Sequence, residues 1–156
     1  MPTRSSPKRK GNKCVSRPVV AAVCYRRKNG RIEFLLVRTK GGKYWTFPKG
    51  HVEKDPPELP WQAAQREASE EAGVSGAIET EPVTSYAYSK GKQGREDIVA
   101  AYLMLVESER KPDEPEREPK WFTPELAKRR LAKGRKEKKY VREHQRVIEQ
   151  ALAKLG

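Results

Sequence analysis

Cysteine is scarce: Cys14 and Cys24 are the only two among 156 residues, too few for a disulfide framework. Cys24 lies in a stretch that reads as a strand, so it is expected to be a small buried hydrophobe; Cys14 lies near the N-terminus. Free thiols fit a cytoplasmic protein. Long apolar runs are missing too. None approaches the roughly 18 to 20 residues needed to span a membrane, so no membrane helix is expected. Acids are absent from MPTRSSPKRKGNKCVSR, residues 1–17. These residues also lack the apolar core of a secretory signal and are expected to form a disordered basic leader. Internal repeats are absent. Strands and helices do not alternate as βαβ units, which favours an α+β fold with a mixed sheet.

What the chain has in abundance is charge. Lys and Arg number 34 against 21 Asp and Glu, a formal net charge of +13, and charged residues make up 35% of the chain. Such an excess favours anionic partners: nucleic acid, an acidic membrane surface, or a highly phosphorylated small molecule. The length suits one domain with a real core, expected over residues 18–156.

The apolar runs place the elements. Val19, Val20, Val23, Cys24 and Tyr25 read as one strand, and Ile32 with Phe34 to Val37 as a second. Asn29-Gly30 between them is a two-residue hairpin signal. Tyr44 to Phe47 reads as a short aromatic strand stopped by Pro48. Residues 59–72 read as a helix closed by Gly73. Strands are expected over 77–88 and 98–107, with polar loops at 89–97 and 108–120. Trp121-Phe122 reads as a short strand, followed by a helix with Thr123 at its N-cap and Pro124 at its first position. Tyr140, Val141, His144, Val147, Ile148, Ala151, Leu152 and Leu155 share a helical face. His144 on that stripe reads as a core residue.

The helix over 59–72 carries the most unusual chemistry. At about 100° per residue, Glu67, Glu70 and Glu71 share one face, and like charges at that spacing destabilise a helix. A cation is needed to offset them: Arg66, or a hard divalent ion held by carboxylates and substrate phosphates. Ala63 and Ala64 lie on or beside that face and are expected to leave room for ligand or water. Trp61, Ala64, Ala68 and Ala72 form an adjoining apolar stripe.

From Glu58 onward the segment reads Glu58, seven residues, then Arg66-Glu67-Ala68-Ser69-Glu70-Glu71-Ala72-Gly73-Val74. This resembles the Nudix box, G-x5-E-x7-R-E-U-x-E-E-x-G-U with U aliphatic. Gly50 stands two positions further upstream of Glu58 than that pattern requires, which implies a two-residue insertion around Lys54 to Pro57. FPKGHVE, before the insertion, is also typical of the family and supports Gly50 as its glycine.

The resemblance implies an α/β/α sandwich with a mixed sheet and the box as a loop–helix–loop. It implies a Mg2+- or Mn2+-dependent hydrolase that cleaves a phosphoanhydride. Glu67, Glu70 and Glu71 with the Gly50 carbonyl would hold the metal. Glu70 or Glu67 would act as base, Arg66 would orient the glutamates, and Glu58 would be a supporting acid. Glu118 is the first candidate for a further acid, ahead of Glu116, Glu96 and Asp97. REPKWFTPELAKRRLA, and Arg38 beside a Gly-rich, Trp-containing strand, are similar to the branch acting on diphosphoinositol and diadenosine polyphosphates. Arg38, Lys43 and Lys49 are the candidate substrate-binding cations; Lys40, Lys90, Lys92, Arg95 and the run over 128–139 could add to them. An RNA 5′-pyrophosphohydrolase or another nucleoside-diphosphate-X hydrolase is the alternative within the class. A non-catalytic basic nucleic-acid-binding module is the alternative outside it.

Overall fold

The computed structural model describes residues 18–89 and 95–156; the expected leader, Cys14, Lys90 and Lys92 lie outside them. Among the described residues, eight strands form one mixed sheet with three α-helices. β1 (Val19–Lys28) and β2 (Arg31–Arg38) make the expected antiparallel hairpin, with Lys28 opposite Arg31. Asn29 and Gly30 take φ of 53° and 77°, the left-handed pair that a two-residue turn needs to match strand twist.

The aromatic segment splits in two around Pro48, which has no N–H to give a ladder. β3 (Trp45–Thr46) pairs with β2, while β4 (Lys49–His51) crosses to pair with β1, setting Gly50 opposite Val20. The strand expected over 77–88 is likewise two: β5 (Val74–Ile78) and β6 (Thr84–Ser89), separated by a bend at Glu79–Val83 that contains Pro82. Both lie antiparallel on β7 (Glu96–Glu109), which is longer at each end than the apolar run over 98–107 and pairs in parallel with β1 on its other side. A strand so enclosed can read as a continuous apolar run because helices cover both faces. A 3-10 turn at Pro115–Arg117 leads to β8 (Lys120–Phe122), which pairs with β2.

Alternation along the strands sorts the core into two layers. Val19, Ala21, Val23, Phe34, Leu36, Val99, Ala101 and Leu103 face α2 (Pro124–Ala132) and α3 (Lys138–Leu155), meeting Leu131, Val147, Ile148 and Ala151. Val20, Ala22, Cys24, Leu35, Val37, Tyr102 and Met104 face α1 (Pro60–Ala72). The result is the expected α/β/α sandwich. Cys24 is a buried free thiol. The Thr123 hydroxyl caps α2 by accepting from the Leu126 N–H at 3.4 Å.

α1 approaches the sheet through alanine. Ala63, Ala64, Ala68 and Ala72 are all buried. This corrects the expectation for Ala63 and Ala64: they are packing atoms beneath the helix and leave no space for a ligand. Their small side chains bring the helix backbone close to the strands, so the residues on its flank meet β4 directly.

Candidate active site

The flank of α1 is organised by Arg66. Its Nη2 and Nε donate to the two oxygens of Glu58 at 2.7 and 3.2 Å. Nη2 also donates to the His51 carbonyl at 3.0 Å, and Nη1 to Glu67 at 3.1 Å and Glu70 at 3.4 Å. One guanidinium therefore ties β4, the loop and the helix together, a use of Arg's planar fork that Lys cannot copy. Those hydrogen bonds hold the Glu58 carboxyl below its ordinary range and raise the Arg66 pKa further. The stretch with two extra residues is closed on itself by a bridge between Lys54 and Pro57. Glu58 remains at its base, accepting from the Glu53 N–H at 2.9 Å.

Glu67 and Glu71 lie deeper, with side chains 12% and 5% exposed, against 37% for Glu70. Their carboxyl groups are in hydrogen-bonding contact, and burial pushes both pKa values up, that of Glu71 to about 8. Arg117, 3.5 Å from Glu71, and the Lys49 N–H, 3.4 Å from it, offset part of that cost. Gly50 is pressed against this pair: a Cβ there would overlap the Glu67 carboxylate. Only glycine allows so close an approach of β4 to α1.

Among the described residues, no three His, Cys, Asp or Glu side chains are closed into a metal cage. The donors are two carboxyls in contact, a third turned to Arg66, and a backbone strand beside them. This all-oxygen set, with buried acids in excess of their partners, fits a cation such as Mg2+, which takes few protein carboxylates and completes its shell with water and phosphate.

A cleft begins at Glu71. Its nearer part, about 310 Å³, is lined by Thr39, Lys40, Thr46, Lys49, Glu71 and Arg117. The further part, about 480 Å³, shares Thr39, Thr46 and Lys49 and runs on between Lys43, Tyr44, Tyr88, Arg135, Lys136, Tyr140 and His144, among others. Its aromatic rings are met by cations. Lys49 Nζ lies 4.4 Å from the Tyr88 ring centre, and the Arg135 guanidinium 5.2 Å from that of Tyr44. Burial lowers the pKa values of Lys49 and Arg135. His144 is the core residue expected. It stacks on Phe47 with ring centres 6.4 Å apart, and its Nδ1 lies 2.8 Å from the Tyr140 carbonyl. Burial pushes its pKa down to about 3.

Gly50, Glu58, Arg66, Glu67, Glu70 and Glu71 are thus gathered at one end of the cleft, and Lys43 and Lys49 line it. Arg38 is engaged elsewhere: it donates to the Gly42 carbonyl at 3.1 Å and to Glu118 at 3.3 Å, over the Trp45 ring. Glu118 is held by that pairing. Glu96 binds Lys139 and Tyr140, and Asp97 accepts from Tyr88. The residue of the 115–118 turn that reaches the helix is Arg117, a cation in a segment whose acids are its more conspicuous feature. Arg135 lay within the basic run over 128–139 without being singled out. Nothing in that run's composition marks the one side chain that packs inward.

Comparison with known proteins identifies the fold and the family. The chain is 52% identical to the asymmetrical bis(5′-nucleosyl)-tetraphosphatase of Caenorhabditis elegans over 54 residues, 34% of this chain and 38% of that protein. It is 37% identical to Nudix hydrolase 4 of Arabidopsis thaliana over 117 residues, 69% of this chain and 55% of that protein. The matched segments therefore span from about a third to about half of these relatives. The crystal structure of a C. elegans Ap4A hydrolase superimposes with a TM-score of 0.67 at 27% identity, covering 89% of this chain and 98% of that one. The NUDIX domain model matches residues 15–145, which takes in the whole sheet, the acidic helix and the cleft, and the chain belongs to the NUDIX domain family.

Proposed function

We propose that the chain is a metal-dependent pyrophosphohydrolase that cleaves a phosphoanhydride of a dinucleoside polyphosphate. The observation that carries this reading is the continuity of the cleft, from the buried Glu71 through Lys49 to a basic pocket walled by tyrosines. A polyphosphate needs cations along its length, and a nucleobase needs flat faces on which to stack. Tyr44, Tyr88 and Tyr140 supply such faces; an inositol pyrophosphate has no aromatic ring to use them. The matched bis(5′-nucleosyl)-tetraphosphatase of C. elegans supports the same substrate class.

In this reading Glu67, Glu70, Glu71 and the Gly50 carbonyl hold Mg2+ or Mn2+. A bound divalent ion neutralises phosphate charge and acidifies water. Arg66 keeps the glutamates in register through Glu58 and the His51 carbonyl. Glu70 or Glu67 accepts the proton of the attacking water as its oxygen bonds to phosphorus and the P–O–P bond breaks. Lys43, Lys49 and Arg117 bind phosphate oxygens. Arg38 holds Glu118 and the Gly42 turn, shaping the cleft's rim.

The test is a substrate panel with Mg2+: diadenosine tetra- to hexaphosphate, diphosphoinositol polyphosphate, ADP-ribose and 5′-triphosphate RNA. The dinucleoside polyphosphates are expected to be hydrolysed with the highest kcat/KM. A clear preference for the inositol or RNA substrate would overturn the role given to the tyrosines.

A further inference from the structure

Among the described residues, two buried side-chain oxygens have no hydrogen-bond partner: Thr46 Oγ1 and Tyr86 OH. An unpaired buried hydroxyl is costly, and each instance calls for an explanation. Tyr86 lies inside an aromatic cluster, its ring 5.7 Å from Phe47 and 5.0 Å from His144, and it does not line the cleft. Thr46 is different. Only 2% exposed, it lines both parts of the cleft.

The strand explains how it gets there. Trp45 and Phe47 both enter the core beneath α2 and α3, so Thr46 between them points the other way. Pairing with Val37 in β2 fixes that register. Three residues are common to the two parts of the cleft: Thr39, Thr46 and Lys49. The Thr39 hydroxyl has a partner in the free protein, accepting the Tyr44 N–H at 3.1 Å. Lys49 Nζ rests on the Tyr88 ring, with the charges of Glu71 and Asp97 acting on it. An unpartnered buried hydroxyl and a cation therefore both border the stretch shared by the two parts of the cleft.

We propose that Thr46 is a phosphate-recognition residue: its Oγ1–H donates to a phosphoryl oxygen of the bound polyphosphate, beside Lys49, where the substrate passes from the tyrosine pocket to the acidic end. This deepens the pyrophosphohydrolase reading and rests on it for the identity of the substrate. The chemistry suits the position. A hydroxyl left unpaired in the free protein is satisfied by a charged acceptor, and hydrogen bonds to charged groups are the strong ones. Valine copies threonine's shape without the donor, so Thr46→Val isolates it.

The experiment measures binding of a methylene-bridged diadenosine tetraphosphate analogue and of inorganic tripolyphosphate by calorimetry. Wild type, Thr46→Val and Thr46→Ser are compared, with the melting temperature of each free protein. Thr46→Val is expected to weaken both ligands about tenfold or more, while Thr46→Ser stays within about threefold of wild type, the tolerance set on a hydrogen bond that is retained. The free Thr46→Val protein should melt no lower than wild type. Unchanged affinity in Thr46→Val overturns the proposal. So does a lowered melting temperature with unchanged affinity, which would assign the hydroxyl to an internal water. If wild type binds tripolyphosphate but not the dinucleotide analogue, the substrate reading fails, and the tripolyphosphate arm alone decides the role of Thr46. Binding of neither ligand overturns both.

Discussion

The two helical layers on this sheet are built on opposite terms. The α1 layer is packed with alanine and carries acids; the α2/α3 layer is packed with Leu131, Val147 and Ile148 and contributes Arg135, Lys136 and Tyr140 to the cleft. Small residues bring α1 close enough for Gly50 to touch Glu67, which suits chemistry that depends on exact distances. On the other face larger residues fill the core, and a pocket lies where α2 gives way to α3. In the proposed reading, one layer carries the reaction and the other selects the substrate. The sheet between them sets both at one rim.

The comparison breaks most sharply at Glu71. Glu71→Gln is expected to lower kcat about a hundredfold or more while the fold survives. Full turnover in that variant, measured with saturating Mg2+, would remove the acidic layer from the chemistry. Packing tests come next. Leu131→Ala on the wide side should cost about 2 to 5 kcal/mol as a cavity, and Ala68→Leu on the close side about 1 to 3 kcal/mol as overpacking. Denaturant unfolding reads both. Ala68→Leu should also depress activity out of proportion to its stability loss, whereas Leu131→Ala should not.

Lys49 joins the two layers. Lys49→Met should raise KM by about tenfold through loss of a charge-assisted contact, with a smaller change in kcat; a kcat loss alone would place it with the acids. The gentlest test uses pH. Burial, then Arg135, then Lys49 depress the His144 pKa from 6.5 to about 3 in the folded protein, against the Tyr140 carbonyl, which raises it. The folded state thus refuses a proton that the unfolded chain accepts below about pH 6.5. Stability from this group is full above pH 6.5 and falls by about 1.4 kcal/mol per unit towards pH 3. Stability measured from pH 7 to 5 should fall less steeply in His144→Gln than in wild type; equal slopes would exclude His144 as the source.

Much of this was legible in the sequence, because periodicity and spacing report local facts. The hairpin at Asn29-Gly30, the enclosed strand at 98–107, the cap at Thr123 and the set Glu58, Arg66, Glu67, Glu70 and Glu71 all follow from neighbours along the chain. The division of 44–51 and of 74–89 into separate strands was harder to read, because each half pairs with a different distant partner. Ala63 and Ala64 were misplaced for a related reason: alanine serves equally as open space or close packing, and only the sheet opposite decides. Arg117, Arg135, Tyr88, Tyr140 and Thr46 come together from four distant segments. No spacing rule connects them, and among 34 basic residues nothing local marks the few that turn inward.

The most direct measurement is product analysis of diadenosine tetraphosphate incubated with the protein, with Mg2+ and with excess chelator. The expected result is ATP and AMP in equal amounts with Mg2+, none with chelator, and none from Glu70→Gln under either condition. Equal product with and without chelator would contradict the acidic helix as a metal-dependent hydrolytic site.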